Sequence, residues 1–194
     1  MADLGTRASG KRERLVESAT SLIHEQGVSA TTLADIAERA DVPLGNVYYY
    51  FKTKDEIVGA VVDEHIQQVR LLLARLDSRQ TPRARLKGLA RNWADAAQMV
   101  AQSGCPLGSL CSELAKNHGE APEASAEIFR VLLSWVEEQF RQLGRRDAPD
   151  LALMLLSGVQ GAALLSNSLG DPRVMTRQVR QLDRWIDSLA TPGA

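Results

Sequence analysis

The 194-residue sequence predicts an all-α protein of about nine helices. Three observations carry that reading. Apolar residues recur at intervals of three and four along most of the chain. Helix-start and helix-stop signals, in the form of hydroxyl caps, prolines and glycines, fall between those periodic stretches. No run of β-branched residues alternates with polar ones between turn signals, so nothing reads as a strand.

The elements follow in order. Leu15, Ala19, Leu22 and Ile23 share one face of a helix beginning near Lys11, and Gly27 can end it. In TTLADIAERA, Thr32 and Asp35 have capping-box spacing, and Leu33, Ile36, Ala37 and Ala40 form an apolar stripe. Asp41-Val42-Pro43 interrupts, because a residue before proline disfavours the helical region. A short helix from Leu44 to Tyr50 follows, and Thr53 with Glu56 makes a second capping box. That box opens a long helix to about Asp77, carrying Val58, Val62, Ile66, Val69, Leu73 and Leu76. Pro82 starts a helix containing Leu86, Leu89, Trp93 and Val100, which SGCPLG breaks. Leu107 to His118 is short and helical, and Pro122 restarts the chain into a stripe of Ile128, Leu132, Trp135, Val136 and Phe140. After Pro149, LALMLLSGVQGAALL is apolar on nearly every face and predicts a buried helix. Asp171-Pro172 turns into a last helix.

Composition sets limits on function. The chain is 44% hydrophobic and 24% charged, with a formal net charge of -1, which neither demands a nucleic-acid partner nor excludes a local basic patch. Its two cysteines form no disulfide framework and fit a reducing compartment. No stretch approaches the roughly 18 apolar residues of a membrane span, and the polar start has no secretory core. The expectation is a cytoplasmic protein that does not enter a membrane.

All three tyrosines stand together in DVPLGNVYYYFKTK. A helix of about eight residues, a tight turn and a second short helix is helix-turn-helix geometry, here over about residues 32–51. The second helix would enter a major groove. Gly45 would permit close approach, Asn46 can pair with adenine, and tyrosine hydroxyls can reach phosphate. Because successive helical side chains turn by about 100°, Tyr48, Tyr49 and Tyr50 cannot share one face. Tyr48 and Tyr49 are therefore the expected contacts. Thr31 and Thr32 stand at a helix N-terminus, where amides attract phosphate. Lys52 and Lys54 add point charge, and Arg7, Lys11, Arg12 and Arg14 form a basic arm.

TTLADIAERADVPLGNVYYYFKTKDEIV resembles the N-terminal signature of the TetR family of bacterial transcription regulators. The likeness covers about residues 10 to 58. It implies a three-helix DNA-binding domain at 10–56, a larger helical effector-binding and dimerisation domain at 57–194, and a homodimer on double-stranded operator palindromes. It also implies contacts at Thr32, Leu44, Gly45, Asn46, Tyr48, Tyr49 and Lys54. Where many members have serine, this chain has Pro43, which offers no hydroxyl for a cap or a phosphate.

Two further patterns concern the second domain. Met175, Val179, Leu182, Ile186 and Leu189 are spaced as heptad a and d positions, and the helix before them carries Gly158, Gly161, Ala162 and Ala163. Both the pattern and the resemblance point to a four-helix dimer interface. SGCPLGSLCSEL resembles a segment of the LmrA/YxaF-like group within the family, and the resemblance implies a pocket for an unknown small-molecule effector within residues 77 to 147. Trp93, Cys105, Phe129 and Trp135 are the candidate lining, although aromatic stripes at helical spacing also serve as core. Cys105 and Cys111, six apart, point in different directions on a helix and suit neither a disulfide nor a metal site. No phosphate loop, nucleophile elbow or zinc-protease helix is present, so neither an enzyme, a cofactor nor a metal is expected. A helical small-molecule-binding protein or enzyme without DNA binding is the alternative.

Overall fold

A computed structural model describes residues 10–116 and 121–189. Among them are ten helices and no strand: α1 (Lys11–Gln26), α2 (Leu33–Arg39), α3 (Leu44–Tyr50), α4 (Lys54–Asp77), α5 (Pro82–Asp95), α6 (Ala97–Ser103), α7 (Pro106–Leu114), α8 (Ala121–Gln142), α9 (Ala148–Leu169) and α10 (Pro172–Ser188). Internal contacts divide the chain into two compact units, Met1–Glu64 and His65–Ala194, so the division falls inside α4.

In the first unit, α1 buries Leu15, Val16, Ala19, Leu22 and Ile23, and Gly27 ends it at φ 88° with its amide on the Ile23 carbonyl. The α2 N-terminus has the capping box that its spacing predicts. Asp35 N–H donates to Thr32 Oγ1 at 3.2 Å, and Thr32 N–H donates to Asp35 Oδ2 at 2.8 Å. Arg39 joins α2 to α1 by a two-pronged pair to Glu25, both bonds at 2.9 Å. Between α2 and α3 the chain reverses through Asp41 at φ 51°, a left-handed conformation that aspartate tolerates better than most residues. Val42, Val47 and Phe51 then close the core of this unit. At the α4 start, Glu56 N–H donates to Thr53 Oγ1, whereas the Glu56 carboxylate accepts from the Lys52 amide, one residue earlier than a capping box requires.

In the second unit α9 packs against α6, α8 and α10, and α10 also packs against α5 and α6. The helix expected from Pro82 to SGCPLG divides at Ala96 into α5 and α6, which raises the count to ten. No proline or glycine marks the break. Its cause is tertiary, since α5 lies against α8 and α10 while α6 lies against α9 and α10. His118, the expected end of the α7 segment, lies outside the described residues.

Two expectations about the last helices change. The a/d seam of α10 is used inside the chain: Met175, Val179, Leu182 and Ile186 are all buried, and Leu189 is half-buried. Those side chains already pack on α5 and α9 and cannot also form an interface with a second copy. Conversely α9 is not buried all round, because Leu153, Met154, Leu164, Leu165 and Leu169 are exposed. By length and composition α9 is apolar enough to cross a membrane, contrary to the reading of the sequence. Less than half of it is buried, and that part packs against α6, α8 and α10.

Basic residues of α5 meet α10 in an antiparallel ladder. Arg91 pairs with Asp183 at 2.9 Å, Lys87 pairs with Asp187, and Arg83 donates to the carbonyls of Ile186 and Leu189. Arg83 thereby supplies donors to the otherwise unpaired carbonyls at the α10 C-terminus. Arg83→Ala is expected to lower unfolding free energy by about 1–3 kcal/mol, the cost of leaving part-buried carbonyls without donors. Urea denaturation with an unchanged m-value checks this.

Candidate nucleic-acid interface and ligand cavity

The α2–α3 pair sets the first site. Val47 is fully buried and anchors α3, so the opposite face, with Leu44, Gly45, Tyr48 and Tyr49, is exposed. Tyr49 is 77% exposed and Tyr48 47%. Tyr50 is half-buried and meets Tyr49 edge to face at 5.0 Å, so the three rings divide between surface and core. A Cβ added at Gly45 would meet nothing within 4 Å. Glycine in a helix costs about 1 kcal/mol relative to alanine, and no neighbour within the chain requires it here. Asn46 is half-buried, with its amide donating to the Pro43 carbonyl at 2.8 Å. Pro43 caps α3 without any side-chain hydrogen bond.

Two charges flank this face. Lys52 Nζ donates to the Tyr48 carbonyl at 2.6 Å, at the C-terminal end of α3 where the helix dipole favours a cation. Lys54 Nζ donates to the Ser29 carbonyl at 3.3 Å. The Asp35 carboxyl is held below the usual carboxylate range, chiefly by the Thr32 hydroxyl, then by the Thr32 amide, with a smaller contribution from Lys54. Thr32 is exposed, but its hydroxyl donates to Asp35 Oδ2 at 2.7 Å.

Thr31 is a correction. It is fully buried, its hydroxyl donates to the Gly27 carbonyl at 2.8 Å, and its amide donates to Val28. Both donors serve the α1–α2 turn, so Thr31 cannot reach a phosphate. The basic arm also changes. Arg7 lies outside the described residues, whereas Lys11, Arg12 and Arg14 belong to the start of α1, where Arg12 stacks over Phe51 at 5.3 Å.

The second site is a cavity of about 500 Å³ between α7 and α9. Of the four expected lining residues only Cys105 is present there. Trp93 is core, Phe129 is half-buried on α8, and Trp135 donates from Nε1 to Asp77 at 3.0 Å. The lining residues from Gly104 to Lys116 fall within the expected stretch 77 to 147, and Gln160 and Asn167 of α9 add polar groups from outside it. They stand two turns apart on one face of an otherwise apolar helix, which is the signal that could have found them. Gln160 Nε2 donates to Cys105 Sγ at 3.6 Å and Asn167 Nδ2 to the Ala101 carbonyl at 3.3 Å. A Cβ at Gly108 would overlap the Gln160 carboxamide oxygen, so a larger residue there would displace the end of that side chain. Gly104 ends α6 at φ 81°.

Cys111 is half-buried and not bonded to Cys105, and its Sγ donates to the Ser125 carbonyl at 3.3 Å. Burial, helped by the nearby Cys105, pushes its thiol up to about 11. No cluster of three metal-ligating side chains is found among the described residues.

A short two-helix motif held by a buried anchor, with one aromatic, glycine-bearing face exposed, is helix-turn-helix geometry. The chain matches "Bacterial regulatory proteins, tetR family" over residues 15–61 and "Transcriptional regulator LmrA/YxaF-like, C-terminal domain" over residues 82–181. It is 30% identical over 164 residues to the HTH-type transcriptional repressor DhaR of Mycobacterium sp. strain GP1, covering 79% of this chain and 80% of that protein. The HTH-type transcriptional regulator LmrA of Bacillus subtilis is 27% identical, with 80% and 85% covered. A TetR transcriptional regulator from Legionella pneumophila shares the fold at a TM-score of 0.82 and 19% identity, covering 93% of this chain and 99% of that one. The chain belongs to the TetR family and is a DNA-binding transcription regulator with a C-terminal domain of the LmrA/YxaF-like type.

A thiol pushed up to about 11 stays protonated at neutral pH, and only the thiolate is nucleophilic. Iodoacetamide labelling of Cys111, followed by peptide mass spectrometry, is therefore expected to keep rising past about pH 10. A free cysteine of ordinary pKa, about 8.5, would level off earlier.

Proposed function

We propose that the chain acts as a cytoplasmic homodimeric repressor, released from a palindromic operator when a small molecule enters the α7/α9 cavity. The observation that carries the DNA part is the exposed face of α3. Leu44, Gly45, Tyr48 and Tyr49 form a surface that the chain itself leaves unpacked, on a helix whose other side is fixed by Val47. In this reading Asn46 meets a base edge, Tyr48 and Tyr49 meet phosphate, sugar or thymine methyl, and Lys52 and Lys54 add charge at the backbone. The hydroxyl of Thr32 stays in its cap with Asp35, so in this reading Thr32 meets DNA through its methyl group.

The same logic supports a dimer formed through the exposed side of α9. Met154, Leu164 and Leu165 are exposed, and a Cβ at Gly161 would meet nothing within 4 Å of its own chain. A groove lined by Gly158, Gly161 and Leu165 of α9 and by Arg177 and Gln181 of α10 runs beside them. A helix of the second copy fits such a groove, and a two-fold axis would set the recognition helices about 34–36 Å apart, one DNA turn. An effector shifts operator affinity by its differential affinity for the two spacings and no more. α4, continuous from Lys54 to Asp77, is the element through which the cavity-bearing unit would move the head.

Operator selection from a random library, followed by fluorescence anisotropy at two salt concentrations, tests the reading. Tyr48→Ala is expected to weaken specific binding by about 1–3 kcal/mol, and Lys54→Ala to reduce the salt slope by about one. Gly45→Ala should separate stability from function: it should raise the stability of the free protein by up to about 1 kcal/mol while weakening operator binding. Equal operator binding by all three variants and the parent chain would remove the DNA reading of α3.

A further inference from the structure

We infer that the α7/α9 cavity takes an uncharged, elongated molecule with a hydroxyl group at each end of an aliphatic body. The inference rests on the reading that this cavity holds the effector, and it adds the chemistry of what is held.

Two carboxamides set the ends. Gln160 and Asn167 both line the cavity, and at 1.5 Å per residue they stand about 10 Å apart along α9. Each has its amino group committed inside the chain. Asn167 Nδ2 donates to the Ala101 carbonyl at 3.3 Å, and Gln160 Nε2 donates to Cys105 Sγ at 3.6 Å. A backbone carbonyl only accepts, so it fixes which end of the Asn167 carboxamide is oxygen. Gln160 Oε1 lies against α7 at Gly108, and Asn167 Oδ1 lies 3.8 Å from the point that a Cβ on Gly104 would occupy. Neither oxygen accepts a hydrogen bond from any described residue. The cavity therefore presents acceptors at two separated points, and an occupant that buries them without donors leaves both unpaired, at a cost.

The wall between these points is apolar. Ala163 and Leu164 are the α9 residues that line the cavity between Gln160 and Asn167. None of the lining residues is aromatic, so the wall suits an aliphatic body rather than a stacked ring.

Charge is not provided for. Glu113 and Lys116 are the charged lining residues, opposite in sign, and Lys116 is exposed. A carboxylate would set its oxygens against the two carboxamide oxygens, acceptor against acceptor. An ammonium group would lose more hydration on entry than a hydroxyl does. A hydroxyl avoids both costs. It donates to the carboxamide oxygen and accepts from Ser109 or Ser112, whose hydroxyls line the same cavity.

The test titrates the isotope-labelled full chain with heptane-1,7-diol and follows the amide signals of Gly104, Gly108 and Ala163 by NMR. Extended, this diol spans about the distance between the two carboxamides. Its dimethyl ether keeps the span and removes the donors, and heptanedioate keeps the span and adds charge. The diol is expected to bind about tenfold more tightly than the ether, as for two hydrogen bonds at about threefold each. Heptanedioate is expected to bind more weakly than the diol by a similar factor. Gln160→Leu and Asn167→Leu are each expected to remove about threefold from diol binding and to leave the ether unchanged. An ether or dianion that binds as tightly as the diol overturns the inference. So does a diol that leaves those signals unmoved, or a preference that both substitutions leave intact. Should a variant fail to fold, the three probes on the parent chain decide. Operator anisotropy with the diol present is read separately. Selective diol binding without a change in operator affinity leaves the inference standing and removes the cavity as the releasing site.

Discussion

α9 carries more apolar surface than one chain can cover, and much of the second unit is arranged around that constraint. One side of the helix gathers α6, α8 and α10 and holds the centre of the core through Leu155, Leu156, Val159, Ala162 and Ala163. The other side keeps five large apolar residues in water. Burying them would remove a substantial unfavourable exposure at about 25 cal/mol per Å². The chain uses α10 to cover one flank, with its whole heptad seam, and α7 approaches the other at a distance that leaves a cavity. Core, groove and cavity are three outcomes of one helix being apolar on nearly every face.

The head follows a different rule. Its helices are short, seven residues in both α2 and α3, and neither would persist alone in water. They persist because local signals agree with packing: a capping box at Thr32, a left-handed residue at Asp41, and burial of Ile36, Ala37, Val42 and Val47. That agreement fixes which side of α3 is exposed.

Glycines separate structure from function in this chain. At Gly27, Gly104 and Gly108 the fold gives the reason, a positive φ or a neighbour in the space of a Cβ. At Gly45, Gly59 and Gly161 it gives none, and Gly45 and Gly161 lie on exposed helical faces. A residue that weakens a helix without serving its own chain points to a body that approaches from outside.

Most of the fold was legible in the sequence. Periodicity and caps determined α4 from Lys54 to Asp77, the α2–α3 pair and the start of α10, because these depend on neighbours within a few residues. Which side of α3 is exposed was legible for the same reason. Thr31 was not, since its neighbour Thr32 is the cap and only the turn around Gly27 decides which of two adjacent hydroxyls points inward. The break at Ala96 has no local breaker and depends on which helices α5 and α6 meet. The same holds for the α10 seam and the cavity walls. A heptad stripe states that a face will be buried, but only tertiary packing decides whether the partner is α5, α9 or a second chain. Residues 55 positions apart, Cys105 and Gln160, become neighbours only when α7 and α9 dock, and no periodicity in either segment records that meeting.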